Sequence, residues 1–355
     1  MKHINITRIN YINTAILSTL IVLLVTSCSQ HSNSTATIST LEQVKSRGYL
    51  ICGINTELPG FSYTNENHQA AGLDVDVCRA IAAAVLGDAN KVKYIAIASD
   101  NRFRKLQQGN IDVLARNTSW LLSRDTLYGI DFTAIIYYGG QGFIVPKKSN
   151  ITNITDLSDT TICVLAGTST ELNLASYLHA KDIKYTPLVF KDINEVIHAY
   201  ETARCDAYTH DKAILTVRRA SLNNPDNHII LPQIISKEPI SPAVRSDDAQ
   251  WHDIVTWVIY AMINAEEIGI DSANIESTQH NQFHDSIIMR FLGYEGNIGP
   301  KLGLQINWAY NIIKQVGNYG EVYAHNLGRD SKTHIPRGAN KLWTDGGLIY
   351  APPVL

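Results

Sequence analysis

The sequence predicts an α/β fold of two similar units followed by a helical tail, and three observations carry that prediction. A length of 355 residues, against roughly 150 per domain, points to about two domains, and 45% hydrophobic content is enough to fill two cores. Short apolar runs alternate with amphipathic stretches through the first two thirds of the chain. The alternation then stops, and two long amphipathic stretches stand with no clear strand between them.

The elements follow in order. Residues 1–8 are weakly basic, residues 15–25 form an apolar run, and Val25-Thr26-Ser27-Cys28 follows. This is a signal-peptide layout, too short for a transmembrane helix. Two small residues before a cysteine resemble a bacterial lipobox, so residues 1–28 are expected to be a lipoprotein-type signal peptide with Cys28 lipidated. Ordinary cleavage near the same place is the alternative. Residues 29–40, rich in Ser, Thr, His and Asn, read as a flexible tether.

In the first unit, residues 41–146, strands are expected at 49–54, 92–97, 111–115 and 142–145, with helices at 75–86 and 102–108. In the second, residues 147–237, strands at 162–165, 186–190, 207–209 and 229–231 alternate with helices at 170–180, 193–202 and 212–220. Residues 238–355 return to the first unit and add a helical extension, with helices at 251–267 and 305–316 and a Gly- and Pro-rich end. Pro146-Lys147-Lys148 and Pro239-Ile240-Ser241-Pro242 mark the expected crossings between units.

Charge and motifs exclude several function classes. Thirty Lys and Arg against thirty-three Asp and Glu leave a net charge of −3, so there is no basic field for nucleic acid. No GxGxxG, P-loop, GxSxG or HExxH is present, and no cofactor is expected. His280 and His284 stand four apart, a spacing more often found on a solvated helix face than in a metal site. Gly139-Gly140-Gln141-Gly142 precedes a strand instead of opening a helix, so it reads as a turn or hinge.

Export permits disulfides. Cys52 and Cys78 fall in one local strand–helix unit, and Cys163 and Cys205 both stand at strand starts of the second unit, so these two pairings are expected. Buried free thiols are the alternative.

The remaining polar residues suit a zwitterion. Asn117 and Ser119 follow the strand at 111–115 and Arg124 comes next, at the sheet edge where α/β ligand sites lie, with a guanidinium able to clamp a carboxylate. Thr168 and Ser169 join a strand to a helix start, a second place for an anion. Asp211 stands at the equivalent edge with a charge for an ammonium. Each also has a plain reading: a surface ion pair for Arg124 with Asp125, and helix caps for the threonines and Asp211.

The order of these pieces resembles the polar amino-acid family of periplasmic substrate-binding proteins of ABC importers, most closely its general L-amino-acid-binding subfamily. The resemblance rests on Gly72-Leu73-Asp74-Val75-Asp76-Val77-Cys78-Arg79, Asn101-Arg102-Phe103, Gly109-Asn110-Ile111-Asp112, Arg116-Asn117-Thr118-Ser119-Trp120 with Ser123-Arg124-Asp125, Ala166-Gly167-Thr168, Cys205-Asp206-Ala207-Tyr208, Lys237-Glu238-Pro239, Trp308-Ala309-Tyr310 and Gly317-Asn318-Tyr319-Gly320-Glu321. It implies a two-lobed, hinged, type II periplasmic binding protein with a helical C-terminal extension packed on the first lobe. It also implies a non-enzymatic, monomeric receptor that traps an L-amino acid between closing lobes and hands it to inner-membrane permease subunits, touching the membrane only through its lipid anchor.

By motif position Arg124 would hold the α-carboxylate, helped by Asn117, Ser119, Thr168 and Ser169. Asp211 would take the α-ammonium, and Phe61 would pack on the ligand side chain. The chain departs from the subfamily at Glu57, where glycine is expected, at Gly139, where aspartate is expected, and at His210, where threonine is expected. Glu57 on the side-chain wall would favour cationic ligands; at the cleft mouth it would confer little preference. Two other functions stay open on this fold: a dehydratase with Glu57 as general acid or base, and a sensor module for a chemoreceptor or kinase.

Overall fold

The structure, a computed structural model, describes residues 39–280 and 286–354. The expected signal peptide with Cys28, tether residues 29–38 and His284 lie outside the described residues. Ser39 and Thr40, expected to end the tether, instead belong to the fold. Ser39 caps α1 (Thr40–Arg47) through a reciprocal capping box with Glu42, and the buried Thr40 donates its N–H to Asp248 at 2.7 Å.

The chain continues through β1 (Leu50–Ile54), the short strands β2 (Glu57–Leu58), β3 (Ser62–Thr64) and β4 (Ala70–Ala71), α2 (Leu73–Leu86), β5 (Val92–Ala96), α3 (Arg102–Gln107), β6 (Val113–Leu114), α4 (Leu122–Leu127) and β7 (Ile130–Phe132). It leaves this lobe along β8 (Tyr137–Gly139). The second lobe comprises β9 (Gln141–Pro146), β10 (Thr160–Leu165), α5 (Ser169–Ala180), β11 (Tyr185–Phe190), α6 (Ile193–Glu201), β12 (Ala207–Asp211), α7 (Lys212–Ala220) and β13 (His228–Ile230). It returns along β14 (Glu238–Ile240) into β15 (Ala243–Arg245), followed by α8 (Ala249–Glu267), α9 (Ile275–His280), α10 (Ser286–Phe291), α11 (Ile298–Lys301), α12 (Trp308–Gln315) and α13 (Tyr319–Asn326).

The two sheets are built alike, in the orders β5-β1-β6-β15-β7 and β11-β10-β12-β9-β13. In each, a parallel core is extended by antiparallel strands: β15 and β7 in the first, β9 and β13 in the second. The crossing strands pair antiparallel, with Tyr137 opposite Ile240 and Gly139 opposite Glu238. The first crossing therefore lies at Gly139-Gly140-Gln141 and not at Pro146-Lys147-Lys148, because Pro146 ends β9 within the second sheet. The chain is crowded by side chains there. A Cβ on Gly139 would stand 2.1 Å from Asp211 Oδ2, and one on Gly140 would stand 2.4 Å from Ile234 Cγ2.

Helix α2 is apolar nearly all round, with twelve of its fourteen residues buried, because it is covered on two sides. One side meets β1, tied by the Cys52–Cys78 disulfide (Cα–Cα 6.3 Å), and the other meets α8 and α12. The C-terminal extension thus shares the first lobe's core, as expected. It also grips the crossing: Asn340 accepts from the Tyr138 N–H at 2.6 Å and donates to the Tyr138 carbonyl at 3.2 Å, and Tyr319 donates to the Ile136 carbonyl at 2.9 Å. In the second lobe Cys163 and Cys205 form the expected disulfide, Cα–Cα 5.6 Å, joining β10 to the segment that leads into its neighbour β12.

Candidate functional site

The C-terminal edges of both sheets and the crossing β14 enclose a cavity of about 230 Å³. On the first-lobe side, Arg124 from α4 is buried and donates to the Ser119 carbonyl at 2.8 Å, with its guanidinium 5.6 Å from the Phe103 ring centroid. Among the described residues this is its sole acceptor, so the other N–H groups remain for a ligand. Burial lowers its pKa to about 10, opposed by the nearby Glu238 charge, and it stays a cation at neutral pH. Asn117 adopts a left-handed backbone (φ 42°) with its N–H on Asp74 Oδ2 at 2.9 Å, and its Nδ2 is buried at the cavity with no protein acceptor.

On the second-lobe side Thr168 is the N-cap of α5. Its hydroxyl accepts from the Glu171 N–H and donates to the Leu165 carbonyl at 2.6 Å, so its capping role is real and the hydroxyl hydrogen is already used. The backbone N–H groups of Ser169 and Thr170, in the first helical turn, have no intrahelical acceptor and lie on the cavity lining. Asp211 is likewise a helix cap and also lines the cavity. Oδ1 caps α7 from the Ala213 N–H at 2.9 Å, while Oδ2 accepts from the Gly140 N–H at 3.0 Å beside the cavity. Burial pushes its carboxyl up to about 7. His210, where the resemblance expects threonine, accepts the Asp211 N–H on Nδ1 at 2.7 Å, and burial with Arg218 and Arg116 nearby lowers it to about 3, so it is a neutral imidazole.

Of two further expected residues, one stands away from the cavity and the other at its rim. Phe61 is fully buried in the first-lobe core, edge-on to Tyr137 at 5.0 Å, and is absent from the cavity wall; Leu58 from the same segment lines it instead. Its neighbour Gly60 takes a left-handed turn (φ 82°), after which the chain dives inward. Glu57 is exposed at the rim, accepting from Asn194 Nδ2 of α6 at 3.3 Å, while its carbonyl accepts from Arg218 of α7. Of the two readings of Glu57, this exposed position at the rim favours the cleft-mouth one, where water screens the charge. We expect Glu57→Gly to shift the arginine-to-glutamate affinity ratio by less than about threefold. Both affinities should weaken together by a few-fold as the interlobe bridge is lost, measured by competition binding.

The sequence reading did not single out three cavity residues. Arg102 from α3 is buried, donates to the Gly167 carbonyl at 3.3 Å and leaves its Nε without a partner; Arg116 follows β6 and is also a cavity residue. Glu238 on β14, only 2% exposed, takes hydrogen bonds from Ser119, Ser169, Asn173 and Ser236. The hint in the sequence was a charged residue beside a proline in a crossing segment, Lys237-Glu238-Pro239.

Two α/β lobes joined by paired crossing strands, with opposite charges facing one another in the cleft, define a solute-binding protein of the hinged kind. Residues 50–270 match the bacterial extracellular solute-binding proteins, family 3, and the chain belongs to that family. It is 50% identical to the general L-amino acid-binding periplasmic protein AapJ of Rhizobium johnstonii over 90% of this chain and 94% of that one. It is 47% identical to the glutamate/glutamine/aspartate/asparagine-binding protein BztA of Rhodobacter capsulatus, over 90% and 94%. Among solved structures it is similar to a Brucella ovis ABC transporter periplasmic binding protein with glutathione bound, at 48% identity and TM-score 0.87, covering 90% of this chain and all of that one.

Proposed function

We propose that this protein is a periplasmic receptor for L-amino acids that passes its ligand to the permease of an ABC importer. One observation carries the reading: in a single cavity, guanidinium N–H groups of Arg124 without a protein acceptor lie across the cleft from the buried Asp211 carboxylate, which is the charge pair of an α-amino acid reversed. The α-carboxylate would lie on Arg124, the Asn117 amide and the first turn of α5, with the α-ammonium beside Asp211. The names of AapJ and BztA support the same class of ligand.

Buried Arg102 and half-buried Arg116 add positive charge to the wall, which favours carboxylate or carboxamide side chains over cationic ones. A γ-glutamyl peptide such as glutathione carries the same zwitterion, and the Brucella structure supports including it. The reading is of a receptor and not a dehydratase, since Glu57, the candidate acid or base, stands exposed with its carboxylate on Asn194. Lipidation of Cys28 would anchor the monomer to a membrane.

Calorimetric titration with the standard amino acids and glutathione tests this. Glutamate, aspartate and their amides should bind more tightly than arginine or lysine, and failure of every amino acid to bind would overturn the reading. Asp211 must be ionised to meet an ammonium, and its free-state value near 7 sets the sign of the pH dependence: affinity falls as pH drops through 7, with a proton released on binding. Between about pH 8 and about pH 5.5 the loss should be roughly thirtyfold.

A further inference from the structure

Glu238 is placed where the clamp is assembled. It lies on β14 and takes hydrogen bonds from both lobes, because Oε2 accepts from Ser119 Oγ of the first lobe and from Ser169 Oγ of the second at 2.8 Å. Oε1 accepts from Asn173 Nδ2 at 2.7 Å and from Ser236 Oγ at 2.8 Å. Four donors fill the carboxylate's acceptor sites, so Glu238 has little left to offer a ligand directly.

What it does offer is direction. With donors on both oxygens the Glu238 carboxyl acts as an acceptor, and it takes the hydroxyl hydrogens of Ser119 and Ser169. Their oxygens also lie within hydrogen-bond distance of each other, at 3.2 Å, and whether a hydroxyl turns to Glu238 or to its neighbour, no hydroxyl hydrogen is left over for a ligand. These two hydroxyls therefore cannot donate to the ligand's α-carboxylate, the role the sequence suggested for them. A pair of acceptors this close suits a group with several N–H bonds and positive charge.

We infer that Glu238 is a positioning residue that fixes the Ser119 and Ser169 hydroxyls as acceptors, so that the cleft selects ligands bearing an α-ammonium over analogues that lack it. The donors for the carboxylate are then Arg124, Asn117 and backbone N–H groups of α5. The ammonium is held by Asp211 and the two serine oxygens. This rests on the amino-acid reading above and deepens it from a charge clamp to one with a set hydrogen-bond polarity.

The test compares L-glutamate with glutarate, and L-alanine with propionate, by competition calorimetry on the whole mature protein. In Glu238→Ala the hydroxyls are free to turn, and the affinity ratio of amino acid to des-amino analogue should fall by about tenfold or more. In a Ser119→Ala, Ser169→Ala background, adding Glu238→Ala should change that ratio by less than about twofold, because the groups it acts through are gone. The serine double variant alone should lower the ratio and carries the test if Glu238→Ala does not fold. An unchanged ratio, equal losses for both members of a pair, or an undiminished effect of Glu238→Ala without the serines would each overturn the inference. Wild-type protein that binds no amino acid would instead overturn the proposed function, so the two failures are distinguishable.

Discussion

Arg124→Ala should bind every amino acid about thirtyfold to several thousandfold more weakly, the equivalent of about 2–5 kcal/mol for a charge-assisted, bidentate contact in a closed site. The guanidinium is held from two directions: its Nη1 donates to the Ser119 carbonyl at 2.8 Å, and its plane is near the Phe103 ring. It is thus oriented before ligand arrives, and little side-chain entropy is lost on binding. The substitution should leave the fold intact, because Arg124 lines the cavity and makes no ion pair among the described residues that removal would orphan. Since the α-carboxylate is common to all ligands, the loss should be nearly uniform across side chains. Arg124→Lys should recover only part of it, keeping the charge without the fork. Affinities unchanged by calorimetry would assign the carboxylate to Arg102 or Arg116, the other guanidinium groups lining the cleft.

Sequence patterning made the alternating parallel core legible, since buried parallel strands such as β10 and amphipathic helices such as α7 carry strong local periodicity. It did not reveal β7, β8, β14 and β15. These are three-residue antiparallel strands, and their pairing is set by partners about a hundred residues away. The first crossing was misplaced for the same reason: Pro146 marks the end of an element, whereas Gly139 and Gly140 mark the change of sheet.

Arg124, Asn117, Thr168 and Asp211 line one cavity, and each lies at a strand end or in the segment that follows one, where local order was enough to single it out. Phe61 was misread because an aromatic after Pro59-Gly60 looks the same in sequence whether it turns to a cleft or to a core. Glu238 was passed over because its meaning comes from three donors at positions 119, 169 and 173, which meet it only once both lobes are assembled.

Removing the second-lobe disulfide with Cys163→Ala and Cys205→Ala should cost about 4 kcal/mol, since the bond closes a loop with a sequence separation of 42 and limits the unfolded chain accordingly. The corresponding closure for Cys52–Cys78, with a separation of 26, comes to about 3.5 kcal/mol. The larger effect also has the more exposed consequence. The Cys163–Cys205 loop contains α5, β11 and α6, so it carries the Thr168–Ser169 turn and Asn194 on the cleft side. Both sulfurs are buried between β10, β12 and α6, in a core smaller than the one the first lobe shares with the C-terminal extension.

The expected result is a fall in melting temperature of roughly 10 °C by scanning calorimetry, partly offset by saturating ligand because ligand binds only the folded cleft. Mass spectrometry of unreduced peptides provides the prior check on the bond itself. Free thiols at both Cys163 and Cys205 in protein exported to an oxidising compartment would show that the cross-link does not form, and an unchanged melting temperature in the double variant would show that packing around β10 and β12 alone sets the stability of the second lobe.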